Sequence, residues 1–235
     1  MSQLTRRSFV AATAGVAAAG LFTSSLPADA QLVWTTSEWN LAGFHKLTAH
    51  PARVKQVYDV TRIGEGKFLN NIKNSLNGLR FGFGIPEEQI KIAAALHGAA
   101  NMLNYDDYVW KKYQIGAWLK VTDPVTGQPA ERNPFYPAAA PATGDTAEDP
   151  DSEHSLYQAR TIQDLQNRGV QFLSCHTATE EQARILARLN HLTDSPEAIV
   201  HDMLAHTIPG VLVVASMVAA IALLQTDGHY SYITV

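Results

Sequence analysis

Ile90-Lys91-Ile92-Ala93-Ala94-Ala95-Leu96 is apolar at six of its seven positions. A strand with one wet face alternates apolar and polar residues. A run this continuous belongs to a strand covered on both faces, the pattern of a parallel sheet flanked by helices. Four other stretches read as strands: Val54-Lys55-Gln56-Val57-Tyr58-Asp59-Val60, Gly169-Val170-Gln171-Phe172-Leu173-Ser174-Cys175, residues 211–215, and the alternating tail 229–234.

Helical patterns separate them. Phe68, Ile72, Leu76 and Leu79 fall on one face of a helix that Gly82, Gly84 and Pro86 end. Helices are expected at about 99–113, 155–167 and 196–205, and one from a Thr177-Ala178-Thr179-Glu180 capping box to about Asn190. Ser216 is placed to cap an apolar helix running to about Gln225, and Ser37 to cap a short one bearing Leu41, Phe44 and Leu47. The apolar run 211–224 is too short for a membrane span and reads as strand plus buried helix. This alternation predicts an α/β fold: one domain, a mostly parallel sheet, helices on both faces, layered like flavodoxin.

The chain begins with an address. Arg6-Arg7 precede an apolar stretch from Val10 to Phe22, and Ala28-Asp29-Ala30 supplies an A-x-A cleavage site. Residues 1–30 therefore read as a twin-arginine signal, with cleavage expected after Ala30 and a periplasmic destination. Residues 31–52 form a leader and 53–235 the domain. Residues 121–154 hold six of the eleven prolines. They are expected to be a mobile surface excursion, dispensable for folding, with Phe135-Tyr136 as its anchor onto its own domain or a neighbouring subunit.

With 18 Lys+Arg against 22 Asp+Glu there is no basic excess, so no nucleic-acid partner is expected. The sparse charge and the apolar C-terminal helix suit a homo-oligomer. Removal of the signal leaves no expected membrane span. One cysteine cannot form an internal disulfide, so in an oxidising compartment it is buried, reactive or paired with another chain.

In an open parallel sheet, ligands bind beyond the carboxyl ends of the strands. Two strands end in reactive residues there, one in His97-Gly98 and the other in Cys175-His176. Cys175 precedes a helix N-terminus, whose partial positive charge stabilises a thiolate. A protonated His176 or His97 would add to that and lower the thiol below the ~8.5 of free cysteine. A small core cysteine would leave the same pattern, and spacing alone leaves both readings open. Gly98 offers close approach, while Thr177, Ser216 and nearby backbone amides are candidates to bind an anion. His201 and His206 are five residues apart, a poor spacing for a shared metal. No Gly-rich phosphate loop or nucleophile elbow is present, and no cofactor is assigned.

Three segments in order, Ile90 to Gly98, Gly169 to Cys175, and Gly210 to Ser216 continuing through Leu224 to Ile233, resemble the DsrE/DsrF-like sulfur-relay family, in particular its exported members. The resemblance covers residues 55–235 less the Pro-rich excursion. It implies a small α/β fold, assembly into trimers or hexamers, and a cysteine after the third strand that carries sulfur as a persulfide. Cys175 matches that position. Met217 stands where the family's last motif usually has glycine. The implied function is sulfur handling on Cys175; read from their positions, His176 and His97 are the further catalytic candidates, tuning the thiol or binding the incoming anion, with a donor or acceptor protein as partner. The alternative is a non-enzymatic binding module for a small ligand, haem or metal, or a structural partner protein.

Overall fold

The computed structural model describes residues 38–136, 149–152 and 155–235. The expected signal, the Ser37 cap and the middle of the excursion lie outside them.

Five strands form one sheet: β1 (Val54–Val60), β2 (Ile90–Leu96), β3 (Gln171–Cys175), β4 (Leu212–Val214) and β5 (Ser231–Thr234). Their order is β4-β3-β2-β1-β5, and every pairing is parallel. The fold is the expected α/β domain. Pleating sends alternate residues to opposite faces. Tyr58, Val60, Ala94, Leu96 and Phe172 go to one face, under α2 (Lys67–Asn77), α5 (Ile162–Asn167), α6 (His176–Leu189) and α7 (Pro196–Ala205). Val57, Ala93, Ala95, Leu173, Cys175 and Val214 go to the other, under α1 (Leu41–Thr48) and α8 (Met217–Thr226). Both faces of β2 are covered, which is why its run has no polar alternation. Ile72, Leu96, Phe172 and Leu224 are fully buried. Each such side chain contributes roughly 1.5–3 kcal/mol relative to exposure.

The crossovers explain which helix lies where. From β1 to β4 the chain steps in one direction along the sheet with its helices on the first face. From β4 it returns past β1 to add β5, and α8 crosses on the second face. A chain that keeps one crossover hand must change faces when it reverses direction. The connections leaving β3 and β4, which are neighbours, therefore diverge to opposite faces. That divergence opens a crevice at their carboxyl ends, the usual ligand position in such sheets.

Several local expectations are corrected. Residues 99–113 are not one helix: a 3-10 stretch (Gly98–Asn104) is followed by a break and then α3 (Asp107–Lys112), with Asp106 as its cap. The expected helix from 155 begins only at Ile162, behind a Thr161–Asp164 capping box. Asn40 caps α1, its side chain accepting from the Gly43 amide.

The described part of the excursion is built into the domain rather than free. Past α4 (Ile115–Leu119), Thr122 and Pro129 form a bridge, and Ala130 is buried. The Asn133 side chain, fully buried, donates to the carbonyls of Leu103 (2.9 Å) and Tyr105 (3.0 Å). Phe135 packs on the main core. Its ring lies where a Cβ on Gly66 (φ +72°) would come within 2.6 Å, so that residue must be glycine. The Phe135-Tyr136 anchor thus meets its own domain. The prolines mark irregular backbone that is largely exposed, as expected, while the buried Asp123, Ala130 and Asn133 tie it to the domain.

Candidate functional site

Cys175 ends β3 and directly precedes α6, and its side chain points to the face covered by α8. The expected capping box does not form. Cys175 itself is the N-cap of α6, its Sγ accepting from the Ala178 amide at 3.4 Å. The same sulfur accepts from the Met217 amide at 3.3 Å, at the first residue of α8. Ser216, expected to cap α8, makes no side-chain capping bond. One sulfur thus caps two helices that leave the crevice on opposite faces, and both helix N-termini bring partial positive charge to it.

Thr177 does not face a ligand. Its hydroxyl and its amide both donate to the Ala215 carbonyl, at 2.9 and 3.2 Å, and stitch the two strand ends together. Gly98 (φ +54°) is dictated by the chain itself, because a Cβ there would stand 2.9 Å from the Thr61 carbonyl oxygen. The close approach expected at this glycine is that of backbone.

The expected lowering of the thiol pKa is reversed. Cys175 is 5% exposed, and burial pushes its thiol up from the ordinary value, against the lowering effect of the Ala178, Met217 and Thr177 amides. Glu181 adds a smaller push upward. Two aligned N–H groups reduce the cost of a thiolate without removing the desolvation penalty.

Leu96 pairs with Ser174 in register, so His97 and Cys175 stand at adjoining strand ends, as the sequence suggested. Their partners differ. His97 Nε2 lies 2.6 Å from Asp59 Oδ1 at the end of β1, and the Tyr232 hydroxyl donates to Asp59 Oδ2 at 2.5 Å. His176 is buried, with Nε2 2.6 Å from Glu38 Oε2 and Nδ1 3.7 Å from Glu180 Oε1. Trp39 meets its ring edge-on at 5.4 Å. Among the described residues neither histidine bonds the sulfur. Each is held by a carboxylate that the sequence reading did not single out. His176 Nδ1 and Glu180 Oε2 are buried without hydrogen-bond partners, and burial raises the Glu180 carboxyl above its usual range.

Asn101, also missed, organises the support beneath the thiol. Fully buried, it accepts from the Cys175 amide (2.9 Å) and the Ser174 hydroxyl (3.0 Å). Its amide donates to Thr179 (3.1 Å) and Gln182 (3.0 Å), and Thr179 donates back to the Cys175 carbonyl. The only sequence signal was an amide inside the otherwise apolar stretch Gly98-Ala99-Ala100-Asn101-Met102-Leu103.

On the α8 side of the crevice lies an open apolar pocket of about 140 Å³. Its walls include Trp39, Phe44, Val214, Ala219 and Leu223, with Asn40 and Ser216 as polar points. Among the described residues no group of three or more His, Cys, Asp or Glu side chains is arranged to hold a metal ion, and no helix is long and apolar enough to cross a membrane. No family model matches the chain, and neither a curated protein nor a solved structure does.

Proposed function

We propose that this protein is a periplasmic sulfur carrier, exported by the twin-arginine route and working as a homo-oligomer, in which Cys175 holds sulfane sulfur as a persulfide. The observation that carries the reading is the position of one sulfur at the β3/β4 crevice, with amides of two helix N-termini directed at it. The three-segment resemblance to the DsrE/DsrF-like family supports the same assignment. Apolar side chains left exposed, such as Phe83 and Val218, support assembly into an oligomer.

The exchange needs no external oxidant. The thiolate of Cys175, the minor form that the two helix amides support, attacks the outer sulfur of a donor persulfide R–S–SH. The donor's S–S bond breaks, the thiol proton passes to the departing R–S⁻, and Cys175–S–SH and R–SH result. An acceptor thiol repeats the step in the other direction. A persulfide is a stronger acid than its parent thiol. Burial therefore keeps the empty cysteine neutral and sheltered from oxidation, while the paired amides favour charge on the loaded form.

Intact-mass measurement after incubation with inorganic polysulfide tests this. The expected result is a gain of one sulfur atom, lost on reduction and absent in Cys175→Ser. A chain that stays at its unmodified mass would end the carrier reading.

A further inference from the structure

We infer that the pocket between α1, β4 and α8 is the seat of this chain's own upstream segment Leu32-Val33-Trp34, with Trp34 as the anchor. The inference goes beyond the sulfur-carrier reading and does not depend on it.

The pocket calls for an apolar occupant. α8 carries no charge from Met217 to Thr226, and its residues are apolar all round up to Leu224. A helix of that kind is normally covered on every side. Its pocket-wall residue Leu223 is instead 44% exposed, and Leu41 across the pocket is 54% exposed. The cavity of about 140 Å³ accommodates one large side chain rather than a drug-sized ligand, whose sites span ~300–1,000 Å³.

The path of the chain selects the occupant. Glu38 is held by His176 at 2.6 Å, and the Asn40 amide donates to the Val213 carbonyl at 3.1 Å. The chain therefore approaches over the pocket rim, which it builds with Trp39, Asn40 and Leu41. Trp34 is four residues before Glu38, a reach of at most about 14 Å. Leu32-Val33-Trp34 is the apolar triplet between the expected cleavage point at Ala30 and the polar Thr35-Thr36-Ser37. So short a tether gives an effective concentration in the millimolar range, well above that of any free competitor of equal affinity. An indole brings a large apolar body and one N–H. The Ser216 hydroxyl at the pocket makes no capping bond and offers that N–H an acceptor.

The test places the photo-reactive residue p-benzoylphenylalanine at position 34 of the full chain and maps the cross-link by mass spectrometry. A link within one chain to residues 41–44 or 213–223 is expected. A link between two chains would assign the pocket to a second copy. A link elsewhere, or none, would overturn the inference as well. In parallel, Trp34→Ala should gain emission from the apolar dye anilinonaphthalene sulfonate, with circular dichroism unchanged. Equal emission from the unaltered protein and the variant would show that the pocket is not filled by Trp34.

Discussion

Met217 N lies 3.3 Å from Cys175 Sγ, so the residue that ends β3 caps the helix that begins after β4. The contact joins two chain segments 42 residues apart, and the Ala178 amide completes it from the other helix. Replacing a capping side chain with alanine costs about 1 kcal/mol for one helix. With two helices served by one atom, Cys175→Ala should lose about 1–2 kcal/mol, a fall in Tm of a few degrees for a chain of this size. Cys175→Ser, which keeps an acceptor, should lose less. Calorimetry decides it: an alanine variant as stable as the parent would mean that the sulfur caps neither helix to any effect.

The raised thiol pKa sets two pH dependences. Alkylation of the folded protein should be slow at pH 8 and still climbing above the ~8.5 of free cysteine, whereas the denatured chain reacts at once. Because the folded thiol keeps its proton longer than the unfolded one, its contribution to stability is complete below the unfolded value. That contribution is lost as pH rises through the folded value. Cys175→Ser should lack that loss. Denaturant titrations of the two proteins across the alkaline range give the comparison.

Glu180 shows the same sign in the acid range. Burial raises its carboxyl, outweighing attraction from His176 and Arg184. The folded state therefore holds the proton more tightly, and stability falls as pH climbs from the ordinary carboxyl range near ~4.3 through the folded value. Glu180→Gln should be more stable than the parent at pH 7 and no different in strong acid. A variant equally destabilised at both would show that the charge on Glu180 is satisfied in the native state.

Asn101→Leu should be the most damaging of the substitutions considered. It leaves the Cys175 amide, the Ser174 hydroxyl and Gln182 without their buried partner. Each orphaned buried group costs about 1–3 kcal/mol, so a loss of at least about 3 kcal/mol is expected. Chemical denaturation of the purified variant measures it, and a loss under 1 kcal/mol would mean that water replaces the amide.

Asn133→Ala tests whether the first part of the Pro-rich stretch belongs to the domain. It removes both donors to the Leu103 and Tyr105 carbonyls, and a loss of about 2 kcal/mol is expected. An unchanged Tm would return residues 121–136 to the status of a surface loop.

Local pattern located β1 and β2 to the residue, and β2 most directly, because a strand covered on both faces writes its burial into consecutive side chains. It placed α7 equally well, at 196–205. It also put His97 and Cys175 at one edge, since both end parallel neighbours. Where local pattern misled, a distant group had taken over. Thr177 looks like a cap until the Ala215 carbonyl claims its hydroxyl. The prolines of 121–136 rightly mark an exposed stretch but carry no sign that Asn133 ties it to the carbonyls of Leu103 and Tyr105.

The sequence by itself determined the strands, their alternation with helices and the parallel sheet, because helix and strand burial repeat at short range and a parallel pair requires a crossover. Only the tertiary structure decided that α8 crosses on the opposite face and brings Met217 to the sulfur. It also decided that burial outweighs the helix dipoles at Cys175, and that Asp59 and Glu38, not the thiol, hold the two histidines. Those outcomes depend on which residues far apart in the chain share a few ångströms of low-dielectric space. There the desolvation of one group and the reach of another fix the chemistry, and neither has a signature in neighbouring residues.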